Sequence, residues 1–289
     1  MAPGPGFEWR SYQAPAEEEY VCATFAVRMR QSNSRLLEEL QHFCPSRAVH
    51  VLINDGYRAF PRPLPKQLAM YDLLGAMQIL AREALRRGCR TALLCEEDMF
   101  WRRDARLSAH MRHVRRFCAR DDWDAYFLGG VVAPALRAPQ LRRHVRLVKN
   151  VFGAHAVIYS TQGLQMLASG RSRAHLDTGA SMHMRAFRYH LPLAYQLFPA
   201  TENQRQSWNP SLVVIKNLLG MDKRAEPWYS LSYLADAWLL TLLVLVAALL
   251  ARAAAILAAA CSAYHPEAIA APRCAASSAR CSGWAPGAC

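Results

Sequence analysis

The sequence predicts an α/β fold with a mostly parallel, Rossmann-like central sheet in a single domain, followed by a C-terminal hydrophobic helix. Three observations predict it. Short apolar runs at Val21–Val27, Val49–Ile53, Thr91–Cys95 and Ala125–Leu128 alternate with segments of helical periodicity. Those intervening segments are long enough for the crossovers that join parallel neighbours. With 289 residues, 53% hydrophobic and 20% charged, the chain can bury a sizeable core and is neither fibrous nor disordered as a whole.

Residues 1–19 carry Pro3, Pro5, Pro15 and the acid run Glu17-Glu18-Glu19 without periodicity, which predicts a disordered leader. The globular domain is expected over 20–230. Its first strand is Val21–Val27. Ser32 or Asn33 can cap a helix reaching about Phe43, with Leu36, Leu37 and Leu40 on its apolar stripe. Val49–Ile53 is a second strand, stopped by the turn residues Asn54-Asp55-Gly56. A Pro-rich connection, Pro61 to Pro65, leads to a helix from Lys66 to Arg87, closed by cations in its last turn and by Gly88. Strand Thr91–Cys95, a helix ending near Ala119, strand Ala125–Leu128, strand Phe152–Tyr159 and a short helix at Gln162–Leu167 complete the pattern.

Beyond about Ser230 the composition changes. Residues 237–264 are apolar and carry a single charge, Arg252, whose insertion at a bilayer centre costs about 2.5–3.5 kcal/mol. The segment reads either as a membrane anchor or membrane-lying helix, or as a buried helix or an atypical tail. Residues 265–289, with Cys274, Cys281 and Cys289, read as an unstructured tail.

Lys and Arg total 35 against 22 Asp plus Glu, a net charge of +13. Only Lys66, Lys149, Lys216 and Lys223 are lysines, so the charge is almost all guanidinium, whose planar fork suits phosphate and carboxylate. Between Trp101 and Lys149 twelve cations face four acids. No aromatic interleaving or nucleic-acid motif accompanies them, so no nucleic-acid partner is expected. The nine cysteines include no Cys-x-x-Cys pair, and Met1–Gly6 is not an apolar signal segment. Both point to a reducing compartment and a cytoplasmic protein, membrane-attached if the C-terminal helix enters a bilayer.

The most informative stretch is Thr91-Ala92-Leu93-Leu94-Cys95-Glu96-Glu97-Asp98. A buried strand runs into three successive carboxylates, whose mutual repulsion calls for a compensating cation. On an extended strand end Glu96 and Asp98 share one face and Glu97 points elsewhere. Two carboxylates on one face suit a hard divalent ion such as Mn²⁺ or Mg²⁺, and a solvated turn whose acids neutralise nearby arginines is the alternative.

A strand ending in an acidic triplet resembles the glycosyltransferase A fold, and the order of segments resembles glycosyltransferase family 25, the lipooligosaccharide and procollagen galactosyltransferase group. Six segments, with a Pro-rich return segment at Pro192 to Ser207, carry this over roughly residues 20–210. Ala26-Val27-Arg28-Met29-Arg30-Gln31-Ser32-Asn33-Ser34-Arg35 stands where the family has a strand followed by its Asp/Arg-Ser-x-x-Arg segment. Leu74-Gly75-Ala76-Met77 is a loose match, lacking the family's Ser-His pair. Leu94-Cys95-Glu96-Glu97-Asp98 stands for Leu-Glu-Asp-Asp. Asp124-Ala125-Tyr126-Phe127-Leu128-Gly129 matches Asp-x-x-x-Leu-Gly. Ala154 to Leu167 matches a segment of the type Ala-Tyr-x-Ile-Ser-x-x-Gly-Ala-x-x-Leu, and Leu176-Asp177 matches Ile-Asp.

The resemblance implies a metal-dependent glycosyltransferase. It would move a hexose, galactose among the candidates, from a nucleotide-diphosphate sugar to a glycan or protein hydroxyl with inversion. It further implies metal ligands at Glu96 and Asp98, nucleotide-sugar contacts at Arg35, Glu97 and Asp124, and a catalytic base at Asp177. Asp177 before Thr178 and Gly179 also fits an ordinary helix cap. His155, alone on its strand, fits a hydrogen-bonded core residue. The rival expectation is a catalytically inactive, basic, membrane-associated binding or scaffold protein on a transferase-like fold.

Overall fold

The computed structural model describes residues 4–14, 18–60, 68–132, 143–147, 151–170, 183–197, 217–218 and 226–263. They divide into two units, 1–241 and 242–289.

The first unit is built on an eight-stranded sheet, ordered β1-β3-β2-β4-β10-β6-β11-β8. Its strands are β1 (Phe7–Gln13), β2 (Ala23–Met29), β3 (Ala48–Asn54), β4 (Thr91–Glu96), β6 (Ala125–Phe127), β8 (His144–Leu147), β10 (Ala156–Ser160) and β11 (Ala186–Tyr189). Taking β4 as reference, β2, β3, β6 and β11 run with it, and β1, β8 and β10 run against it. Five of eight strands therefore share one direction. The expected mostly parallel sheet holds in that sense, with a reversed strand, β10, set between β4 and β6. Two small ladders lie outside it: β5 (Met99–Trp101) on β12 (Ala194–Gln196), and β7 (Val131–Val132) on β9 (Val151–Phe152).

Strand alternation sorts the core into two layers. Phe25, Val27, Ala92 and Leu94 face α2 (Ala69–Arg86) and α4 (Thr161–Ala168), where Leu74, Met77, Leu80, Leu164 and Leu167 meet them. Ala26, Leu93 and Cys95 face the other way, toward Leu36 and Leu40 of α1 (Leu36–His42) and Met111 and Val114 of α3 (Leu107–Cys118). Helices thus cover both faces of the sheet.

Local chemistry sets several boundaries. Gly88, at φ +72°, ends α2: its amide donates to the Leu85 carbonyl at 2.9 Å and the Cys89 amide to the Ala84 carbonyl at 3.0 Å. The Ser160 hydroxyl caps α4 by accepting from the Gly163 amide at 3.2 Å. The Asn54 side chain accepts from the Gly56 amide at 2.8 Å, closing the predicted turn.

Four expectations are corrected. The leader is not wholly disordered: Phe7–Gln13 is an edge strand paired with all seven residues of β3, because Phe7 and Trp9 alternate with Glu8 and Arg10 and pack on the core. α1 starts at Leu36 with no side-chain cap, so neither Ser32 nor Asn33 caps it. The strand expected over Phe152–Tyr159 is split at Gly153, which takes φ +87°. Among the described residues no helix is long and apolar enough to cross a membrane. The predicted C-terminal helix is present as α5 (Glu226–Ala263), which starts in the first unit and continues into the second. Its described side chains beyond Thr241 are largely alanines, with Arg252 among exposed Leu245, Leu249, Leu250, Ile256 and Leu257.

Candidate functional site

The acid run sits at the carboxyl end of β4. This strand is buried because β2 lies parallel on one side and β10 antiparallel on the other. Glu96 is its last residue, in register with Val27 of β2, and its amide donates to the His155 carbonyl at 2.9 Å. The carboxyl ends of parallel strands are where α/β sheets bind ligands.

The chain then turns instead of staying extended. Glu97 and Asp98 form a turn into β5, so strand alternation does not put Glu96 and Asp98 on one face. Glu97 bends back to β2, where its Oε2 accepts the Met29 amide at 2.9 Å. Burial raises the Glu97 pKa above the usual carboxylate range, against the Met29 amide, the Ser32 hydroxyl and the Arg28 charge, which all favour its ionised form. Asp98 turns toward β12, where its Oδ2 accepts from Gln196 Nε2 at 3.0 Å and its carbonyl accepts the Leu197 amide at 2.9 Å. Glu39 of α1, buried, steadies β5 by accepting the Trp101 amide at 3.0 Å.

Of the three arginines at or just beyond the end of β2, Arg28 within the strand and Arg30 and Arg35 after it, the structure places Arg28 beside Glu97. Its Nη2 donates to the Ser32 carbonyl at 3.0 Å. Arg30 is paired with Asp55 and Glu8. Arg35, the one that the family resemblance selects, is exposed and bound to Glu38 one turn along α1 at 2.9 Å. Position within the motif could not separate them, because the partners that occupy Arg30 and Arg35 lie on other elements or on the next helix.

Asp124 lies at the opposite end of the sheet. It precedes β6, and its carbonyl accepts the Ser160 amide level with the start of β4. Its buried carboxylate is gripped by Arg185, with the guanidinium at 2.8 and 3.1 Å and the backbone amide at 2.7 Å. Asp177 lies outside the described residues. His155 is fully buried, its ring edge-on to Tyr229 at 5.7 Å, and burial lowers its pKa to about 4. It is a core residue beside the site.

Among the described residues no group of three or more His, Cys, Asp or Glu side chains is placed to hold a metal ion. Glu96 and Asp98 offer hard oxygen donors of the right chemistry, so they suit a divalent ion only where a ligand's phosphate oxygens and water fill most of its shell.

A cavity of about 760 Å³ opens at the amino end of β4, away from the acids. Arg90, Arg115, Arg120, Asp121, Ser160 and Thr161 are among its lining residues. Arg115 pairs with Glu18 at 3.1 Å and Arg120 with Asp122 at 2.5 Å. The sheet therefore has an acidic end and an arginine-rich end.

No protein-family model matches the chain. No curated protein matches it either. Among solved structures it is similar to the crystal structure of A197 from STIV, at 12% sequence identity and a TM-score of 0.37, over 62% of this chain and 86% of that chain. A likeness that loose fixes neither fold family nor activity.

Proposed function

We propose that the protein is a glycosyltransferase that takes a sugar from a nucleotide-diphosphate donor at the carboxyl end of β4 and delivers it to a glycan or protein hydroxyl. The observation that supports this reading is the acidic turn Glu96-Glu97-Asp98 at that strand end, tied by Glu97 to the end of the adjacent parallel strand β2.

Transfer requires that the departing diphosphate be neutralised and that the acceptor hydroxyl lose a proton. Glu96 and Asp98 are the residues that would hold Mn²⁺ or Mg²⁺, which neutralises the leaving diphosphate when bound. Arg28 adds a fixed cation beside the same turn. Glu97 works as a positioning residue: its bond to the Met29 amide fixes the turn relative to β2, and its raised pKa reflects that buried post. Asp177 is the base that the family-25 resemblance assigns, acting with inversion.

The test is release of nucleoside diphosphate from a panel of nucleotide sugars in Mn²⁺, with Glu96→Ala and Asp98→Ala as controls. Turnover with one donor, lost in both variants while their melting temperatures stay near wild type, supports the assignment. A nucleoside diphosphate with Mn²⁺ at a hundredfold excess over Kd stabilises a true binding site by about 2.7 kcal/mol. No turnover together with no stabilisation rejects it.

The arginine-rich cavity favours a second reading, an anion-binding scaffold without catalysis. In that case inorganic phosphate or pyrophosphate binds without a divalent ion, and Arg115→Ala weakens it while Asp98→Ala does not.

A further inference from the structure

The Sγ atoms of Cys22 and Cys89 lie 3.2 Å apart. Both are held there by ordinary backbone bonding. Cys22 directly precedes β2, and its amide donates to the Thr91 carbonyl of β4 at 3.1 Å. Cys89 follows the glycine that ends α2, and its amide is fixed on the Ala84 carbonyl at 3.0 Å. A disulfide has sulfurs about 2.05 Å apart, so closing the gap takes about 1 Å of side-chain movement. Exposure divides the roles: Cys22 is open to solvent, whereas Cys89 is buried, as are Cys44, Cys95 and Cys118.

We propose that Cys22 and Cys89 are a dithiol site that closes to an intramolecular disulfide by exchange with a low-molecular-weight disulfide. The Cys22 thiolate attacks one sulfur of the reagent, forming a mixed disulfide and releasing one small thiolate. The Cys89 thiolate then attacks Cys22 Sγ, and the second small thiolate leaves. The reagent takes up two electrons, the two small thiolates collect the protons of the two cysteines, and one protein S–S bond forms. Burial, the largest cause, raises the Cys89 thiol above its ordinary value and persists once Cys22 is in the mixed disulfide, so the second step is the slow one and quickens with rising pH. The bridge closes a loop containing β2, α1, β3 and α2, which restrains the unfolded chain and ties the entry to β2 to the end of α2. The site is independent of the transferase reading, since it lies at the amino ends of β2 and β4.

The test uses the full chain, treated with oxidised glutathione at pH 8, blocked with iodoacetamide, digested without reduction and mapped by mass spectrometry. The expected product is a linked peptide pair containing Cys22 and Cys89, two hydrogens lighter than the free peptides. The melting temperature should rise by about 5–10 °C and return to its starting value with dithiothreitol. Cys22→Ser, at an exposed position, should abolish the linked pair and the shift. Recovery of Cys22 as a stable glutathione adduct with Cys89 alkylated, or linked to a cysteine of the C-terminal tail, overturns the proposal. That mapping on the wild-type chain decides the matter even if the variant folds poorly.

Discussion

Glu97 and Met29 join the ends of two adjacent parallel strands: the Glu97 carboxylate accepts the Met29 amide at 2.9 Å across the acidic turn. Glu97→Ala leaves that amide without its acceptor and removes the anion facing Arg28, a loss of about 1–3 kcal/mol in urea unfolding at pH 7. Glu97→Gln keeps an acceptor and loses less. Because the folded-state pKa of Glu97 lies above its unfolded value, its ionisation lowers stability as pH climbs from the ordinary carboxylate range through that raised value. Glu97→Gln should lack that decline, and a wild-type chain and variant with parallel stability profiles would contradict the burial.

Gly129 tests the packing at the end of β6. A Cβ there would lie 1.9 Å from the Ala194 carbonyl oxygen and 2.5 Å from His155 Nε2. The close approach lets the Leu193 and Ala194 amides both donate to the Leu128 carbonyl, at 2.7 and 3.2 Å. Gly129→Ala should therefore cost about 3 kcal/mol or more in denaturant unfolding. A near-neutral result would mean that this part of the chain separates easily.

His155 gives a prediction in acid. Its folded pKa of about 4 lies below the ordinary 6.5, so the unfolded chain binds the additional proton between those values. The contribution of this group is complete above about pH 6.5 and is lost as pH falls toward 4. His155→Leu should flatten the stability profile over that interval, read by thermal melts at fixed ionic strength. An unchanged slope would assign the acid sensitivity to other groups, of which His144, also lowered to about 4, is the first to examine.

Local patterns made β2, β3, β4, α2 with its Gly88 end and the Asn54-Asp55-Gly56 turn legible, because each depends on residues close in sequence. The acidic turn was legible as a location for the same reason. Strand direction was not: the apolar run Ala156–Tyr159 reads the same whether it lies parallel or antiparallel, and β10 is antiparallel. β1 was missed because prolines and acids around it outweighed the short alternation Phe7-Glu8-Trp9-Arg10. Within the site, three arginines lie at or just beyond the end of β2, and only the fold shows which of them Glu38, Asp55 and Glu8 occupy. Asp124 shares the motif of a binding residue, yet its partner Arg185 lies 61 positions away, beyond any local pattern. The Cys22–Cys89 pair follows no spacing rule, because the register of β2 on β4 creates it.

The reversed strand β10 also dictates an order of assembly. The ladders among β1, β2, β3 and β4 involve only residues up to Glu96, so that half of the sheet can form as soon as it leaves the ribosome. β6 and β4 share no ladder and meet only through β10, which completes itself at Ser160. The edge of β4 therefore stays open through synthesis of at least 64 further residues, from Glu97 to Ser160. Late closure over such sequence separations is slow, and a nascent chain arrested in that interval exposes a bare hydrophobic strand to whatever can pair with it.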